Sequence, residues 1–291
     1  MITRKFKTMI GSVIVGGMLL SLSVTAFAAS GTGYESFKEA VKSTVVTENS
    51  TMSTQFEVKD NGTTVLSGDI TRKHDKENMS SKSSITVDGV SKTCETSTDG
   101  GNLIISADGK YYTASGDYKK FGKERINNST EASDREKFME ILADTFIGDI
   151  KNQFVKDGET ISLKLEGAQI PEITRLAVSA ALENKNHMED YKNSGKVGCD
   201  ESMKAMMEKM PKLTNIDIKS IAMTANVEGN TLKENKFTVM VTGKESNGTS
   251  HELTLVFDSK ITDIGSTKVD SIDVTGKEVK TIDMSERFKR R

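Results

Sequence analysis

The sequence predicts an α+β fold: a large curved antiparallel sheet, an incomplete β-barrel, wrapped over a plug of two or three helices, with one more helix at its N-terminal end. Three observations carry this expectation. Apolar residues alternate with polar ones between Asn-Gly and Asp-Gly turns from Met52 to Ala114, and again from Ile216 to Phe257. Between these blocks, apolar residues repeat at helical spacing from Phe138 to Met210. A sheet of nine to eleven strands exposes a wide apolar face, and the central helices are the available cover.

The chain opens on a basic Arg4-Lys5-Lys7 cluster, an almost uncharged apolar stretch Met9–Val24 and the small-x-small site Ala26-Phe27-Ala28. This is the pattern of a secretory signal peptide cleaved after Ala28. The competing reading is a membrane anchor, but the apolar run is shorter than the roughly 20 residues a spanning helix needs. The domain division is therefore 1–28, signal peptide, and 29–291, a single domain. No cysteine follows the cleavage site and the basic end Phe288-Lys289-Arg290-Arg291 lacks a wall-sorting motif. The expected location is secreted, extracellular or loosely wall-associated, with no transmembrane segment.

Each element has a local reason. Phe37, Val41 and Val45 stand four apart, so Tyr34–Val46 reads as an amphipathic helix. The period then changes to two. Met52, Thr54, Phe56 and Val58 share one strand face, and Asp60-Asn61-Gly62 turns the chain into a strand from Thr63 to about Arg72. Two further hairpins follow, Ser83–Val87 with Val90–Thr96 across Asp88-Gly89, and Asn102–Ala107 with Lys110–Ala114 across Asp108-Gly109. Six evenly spaced strands make an antiparallel meander.

Ser133 and Asp134 are N-cap types, and Phe138, Ile141, Leu142, Phe146, Ile150 and Phe154 follow at helical spacing. Glu159–Glu166 alternates as a strand. Pro171 suits the first turn of a helix in which Ile173, Leu176 and Leu182 are apolar around most of the girth, as in a buried helix. Asn184–Val197 is a polar loop. Asp200 caps a third helix ending at Pro211. Strands resume at Ile216, with a phase change that predicts a bulge near Lys219-Ser220. Phe237, Val239 and Val241 alternate, as do Leu253, Leu255 and Phe257 after a turn at Asn247-Gly248. Ile261–Lys280 supplies at most one edge strand.

This order resembles the LolA/LppX-like family of extracytoplasmic lipoprotein carriers and lipid binders, including secreted Gram-positive proteins with this type of domain. The resemblance rests on the leader, the helix Tyr34–Val46, the hairpin meander, the helical insertion and the returning strands. It also rests on Asn235-Lys236-Phe237-Thr238-Val239-Met240-Val241-Thr242-Gly243-Lys244 and on Asp263-Ile264-Gly265-Ser266-Thr267-Lys268-Val269-Asp270. It implies a half-barrel that holds acyl chains or a protein partner against internal helices. The lipidation cysteine of several relatives is lacking here.

Composition excludes some functions. Of the 40 Lys+Arg, three lie in the leader, while all 42 Asp+Glu remain, so the mature chain carries about −5. Nucleic-acid binding needs a concentrated basic patch instead. There is no G-x-S-x-G, no phosphate-cradling loop and no H-E-x-x-H; His74, His187 and His251 read as exposed and unpaired. No enzyme activity and no cofactor are expected.

Met203, Met206, Met207 and Met210 fall at i, i+3, i+4 and i+7. Three readings stand: ordinary packing on the sheet, an adaptable wall for an acyl chain or apolar peptide, and a Cu(I) site of soft thioethers. The expected ligand-lining set is Met203, Met206, Met207, Met210, Phe138, Ile141, Leu142, Phe146 and Leu176, with no metal. Cys94 and Cys199, the 2 cysteines, are either a disulfide or two buried thiols. A bond would close a loop worth ~4–5 kcal/mol in the chain-entropy model. The function this supports is a non-enzymatic module holding a lipid, a lipidated segment or an apolar peptide. The alternative is a cell-envelope sensor or interaction protein with a filled core.

Overall fold

A computed structural model describes residues 32–99, 102–115, 148–172, 174–176 and 210–283. The leader, the helical spacing from Phe138 to Phe146, the 184–197 loop and the third helix up to 209 lie outside these residues.

Twelve strands form one open curved sheet in the order β12-β6-β5-β4-β3-β2-β1-β11-β10-β9-β8-β7. The first six are β1 (Ser50–Asp60), β2 (Thr63–His74), β3 (Met79–Val87), β4 (Val90–Asp99), β5 (Asn102–Ala107) and β6 (Lys110–Ser115). They are the meander the sequence predicts. Their turns Asn61-Gly62, Asp88-Gly89 and Asp108-Gly109 hold positive φ at both positions, between 46° and 81°, which matches the twist of tight hairpins. Short strands β7 (Val155–Asp157) and β8 (Thr160–Glu166) lead to the long β9 (Thr214–Glu228), β10 (Thr231–Lys244) and β11 (Ser250–Thr262). On β9, Ser220 pairs with Met240 and Ile218 with Val241, so Lys219 is the extra residue of the expected bulge. β11 then pairs with β1 and joins the two halves of the chain into one sheet.

Register sets the faces. Leu163, Met223, Phe237, Phe257 and Phe56 form one row across β8, β9, β10, β11 and β1. The next row is Leu165, Ile221, Val239, Leu255, Val58, Leu66 and Val87. Both rows stand on one apolar face. The Phe56 row passes through Gly68 to Ile85, and the missing side chain of Gly68 makes room for the Phe56 ring: a Cβ there would lie 2.6 Å from Cζ.

Helix α1 (Thr32–Val45) packs on β7–β10 over this face. Tyr34, Phe37, Ala40 and Val41 are buried, as their spacing requires. Phe154 meets the rings of Tyr34 and Phe37 at 5.3 and 5.8 Å. The Thr44 hydroxyl donates to Ala40 O at 2.7 Å and accepts the Leu232 N–H at 3.0 Å, tying α1 to β10. The helical period expected to reach Phe154 ends otherwise: Gly148–Gln153 is a 3-10 helix, with Ile150 buried. Residues 172 and 174–176 are helical, and Arg175 N–H donates to Pro171 O at 3.1 Å.

The end of the chain departs from expectation. β12 (Val279–Asp283) is an edge strand, but it runs parallel to β6, at the opposite end of the meander from β11. Residues 263–278 therefore cross the polar outer face as a strap. Asn49 holds Thr267 through both its main-chain groups, at 2.7 and 3.0 Å, on β1's end. Ser80 on β3 and its cross-strand partner Ser97 on β4 clamp Asp270. Asp270 N–H donates to Ser80 Oγ at 3.1 Å, and Ser97 Oγ donates to Asp270 O at 2.7 Å. Lys277 lies 4.1 Å from the centre of the Tyr111 ring on β6. The Ser/Thr-rich outer face is thus satisfied by a strap of main chain.

Candidate functional site

The candidate site is the part of the apolar face that runs from β2 to β6. Over β7–β10 that face is sealed by α1, Ile150, Phe154, Ile170 and Leu213, all in one cluster with the sheet rows. Past β1 the face changes. Ile70, Ile85 and Val87 pack on the cluster only in part. A second, smaller cluster of Leu103 and Ile105, with Tyr112, Ile282 and Cys94 half-buried against it, begins on β5. Between the clusters the register places Arg72, Ser81 and Thr96 in one row with Met52 and Ile105, and Ser83 and Cys94 in the next. This stretch combines apolar side chains, hydroxyls and one guanidinium.

Arg72 was not a residue the sequence singled out. Its surface is exposed, yet desolvation by surrounding protein lowers its pKa below the ordinary arginine range. The usable signal was parity: Leu66, Gly68, Ile70 and Arg72 are alternate residues of one strand.

The expected lining residues are placed as follows. Met210 is half-buried and packed against the main cluster. Leu176 is 61% exposed, so the helical turn after Pro171 presents it to solvent rather than to the sheet. Arg175 orients that turn, donating to Asp217 Oδ1 at 2.5 Å and to the Gly167 carbonyl. Phe138, Ile141, Leu142, Phe146, Met203, Met206, Met207 and Cys199 lie outside the described residues. Cys94 is disulfide-bonded, and its partner lies outside them too.

Two histidines expected to be exposed and unpaired are neither. His74 Nε2 lies 2.7 Å from Thr47 O. His251 shares the apolar face with Leu253, whose cross-strand partner is Asp60; its Nδ1 sits 2.7 Å from Asp60 Oδ2 and its Nε2 3.8 Å from Glu245. This cluster is a polar stop to the apolar rows at the sheet's tip. A separate open cleft of about 600 Å³ lies between Thr47–Asn49, Asp75-Lys76 and Ile264-Gly265, crossed by a Lys76–Glu48 pair at 3.4 Å. It sits beside the strap, apart from the apolar face. Among the described residues, no group of three or more His, Cys, Asp or Glu is arranged to hold a metal ion. No helix among them is long and apolar enough to cross a membrane.

No protein-family model matches the chain, and no curated protein matches it. Among solved structures, the chain is similar to one described as the crystal structure of LprF from Mycobacterium bovis. The TM-score is 0.31 at 10% identity, over 84% of this chain and 99% of that one.

Proposed function

We propose that the protein is a non-catalytic, extracytoplasmic binding module that holds a lipid, a lipidated segment or an apolar peptide on its apolar sheet face. One observation supports this above the rest: the apolar face is sealed at one end and open-textured at the other. From β8 to β1 the rows are buried to the standard of a core, with Leu165, Leu253 and Val58 each 1% exposed, and this burial reaches Leu66 on β2. Along β2–β6, Ile70, Ile85, Val87, Tyr112 and Ile282 remain half-buried on the same face. Apolar surface in that state gains ~25 cal/mol per Å² when a ligand removes it from water. A wide apolar face that the described residues leave half covered supports a ligand surface or a partner surface.

Cys94 stands on the apolar face, and its partner is Cys199. Apolar burial does the binding and no reaction is performed. The leader places this work outside the cytoplasm, at or near the cell envelope.

Native mass spectrometry of the mature protein, purified mildly from culture medium, tests the proposal. The expected spectrum contains a species heavier than the polypeptide that organic solvent converts to the bare mass. A bare mass from the start, with no lipid taken up from vesicles, favours the filled-core envelope sensor instead.

A further inference from the structure

Beyond β1 the apolar face carries charge of one sign. On β2–β6 and β12, register assigns Arg72, Lys92, Lys110 and Lys280 to it, and no Asp or Glu. The carboxylates of these strands fall on the outer face. There Glu95 pairs with Lys82 at 2.8 Å, and the strap's Asp270 pairs with Lys73 at 2.8 Å. The chain as a whole has 42 acidic and 40 basic residues, so this excess of cations comes from placement.

Lys92 flanks the apolar rows, opposite Ile85 on β3, and the cation at their end, one row beyond Ile70, is Arg72. It sits between Met52 on β1 and Ser81 on β3, with Ile70 next along its own strand face. Desolvation is the one cause acting on its charge, with no carboxylate close enough to hold the pKa up among the described residues. A guanidinium set on an apolar face, with no carboxylate beside it among the described residues, is a receptor for an anion. Ser81, directly opposite, adds a hydroxyl.

We propose that Arg72 receives the anionic headgroup of a membrane lipid whose acyl chain runs along Ile70, Ile85 and Val87. Those residues lie in the three successive rows beyond Arg72. Each row is two residues on, so the track is about 20 Å long. An acyl chain spans half of a ~30 Å hydrocarbon core, about 15 Å, and fits within it. The guanidinium fork binds a phosphate through two parallel charge-assisted hydrogen bonds, which an ammonium cannot reproduce.

This inference rests on the apolar face being a ligand surface, and the experiment separates the two. The full mature chain is incubated with vesicles of phosphatidylcholine, or of phosphatidylglycerol with the same acyl chains, and lipid transferred to the protein is measured. The wild type takes up phosphatidylglycerol about tenfold or more in preference. R72Q loses the preference and keeps its phosphatidylcholine uptake; R72K, which keeps the charge without the fork, falls between. Lys82→Gln, on the outer face, changes nothing. Equal uptake of both lipids by the wild type, or an undiminished preference in R72Q, overturns the headgroup role and leaves the ligand surface standing. No uptake of either lipid overturns both. If R72Q fails to fold, the wild-type preference and its reduction in R72K decide.

Discussion

Gly68→Ala is the sharpest test of the register that builds the apolar face. The added Cβ would lie 2.4 Å from Ser84 O, and 2.6 and 2.8 Å from Phe56 Cζ and Cε1. Ordinary contact needs about 1 Å more on each side. The Phe56 ring has little room to retreat, since it is 4% exposed and stacked on Phe257 at 6.5 Å. Ser84 O is backbone, so relief on that side means prising β2 from β3. Overpacking of this kind costs about 1–3 kcal/mol. Replacing Gly by Ala within a strand returns about 0.5–1 kcal/mol of backbone entropy. The net expectation is a loss of roughly 1–2 kcal/mol. Urea unfolding followed by far-UV circular dichroism reads it as a lower midpoint at unchanged slope. The cost shrinks in a Phe56→Leu background, where the ring contact is gone, without vanishing, because Ser84 O remains. A Gly68→Ala protein as stable as the wild type, or more so, refutes the packing of Phe56 over Gly68.

Other expectations follow from single contacts. Ser97→Ala removes a buried hydroxyl, 2% exposed, from Asp270 O, and lowers stability by about 1–3 kcal/mol; a double-mutant cycle with Ser80→Ala shows coupling, because both hydroxyls grip one residue, Asp270. Non-reducing peptide mapping finds Cys94 linked to Cys199, and reduction lowers the melting temperature, with ~4–5 kcal/mol as the chain-entropy bound. The Thr64 hydroxyl, then Lys59, lowers the pKa of Glu57; the Asn78 and Glu77 N–H groups lower that of Asp75; Lys219, then Arg175, lower that of Asp217. Each folded value is depressed, so the stability these groups add is complete above the unfolded carboxyl pKa of about 4 and is lost as pH falls through the folded values. The urea midpoint is therefore lower at about pH 3 than at about pH 5, and Asp217→Asn flattens the difference slightly, since the group is well solvated.

Much of this sheet was legible from residues alone. Asn-Gly and Asp-Gly turns marked the hairpins because few other pairs accept positive φ twice in succession. The bulge at Lys219 was legible because a phase slip between Ile218 and Ile221 has no other explanation in a continuous strand. The strap was not, because Thr267 and Asp270 are held largely through their main chain, which leaves no period in the sequence. Its only trace is the run of Ser and Thr on β3 and β4, an outer face with more hydroxyls than solvent exposure needs. Arg72 was missed because alternation tells which residues share a face but not which face is covered; the pairing of Met52 with Arg72 supplies that. The same ambiguity hid the pairing of His251 with Asp60, residues 191 apart in the chain. Leu176 shows the converse: an apolar residue in a helical period that still faces solvent.

The chain contains no tryptophan, so one introduced tryptophan reports its own surroundings without background. Ile85→Trp places it on the apolar face of β3, and Thr86→Trp places it one residue on, on the outer face. Each is titrated with phosphatidylglycerol brominated along its acyl chain, and fluorescence quenching is recorded. If the apolar face holds the acyl chain, Trp emission is quenched and blue-shifted in the Ile85→Trp protein and unchanged in the Thr86→Trp protein. Quenching absent from the first, or equal in both, contradicts the account.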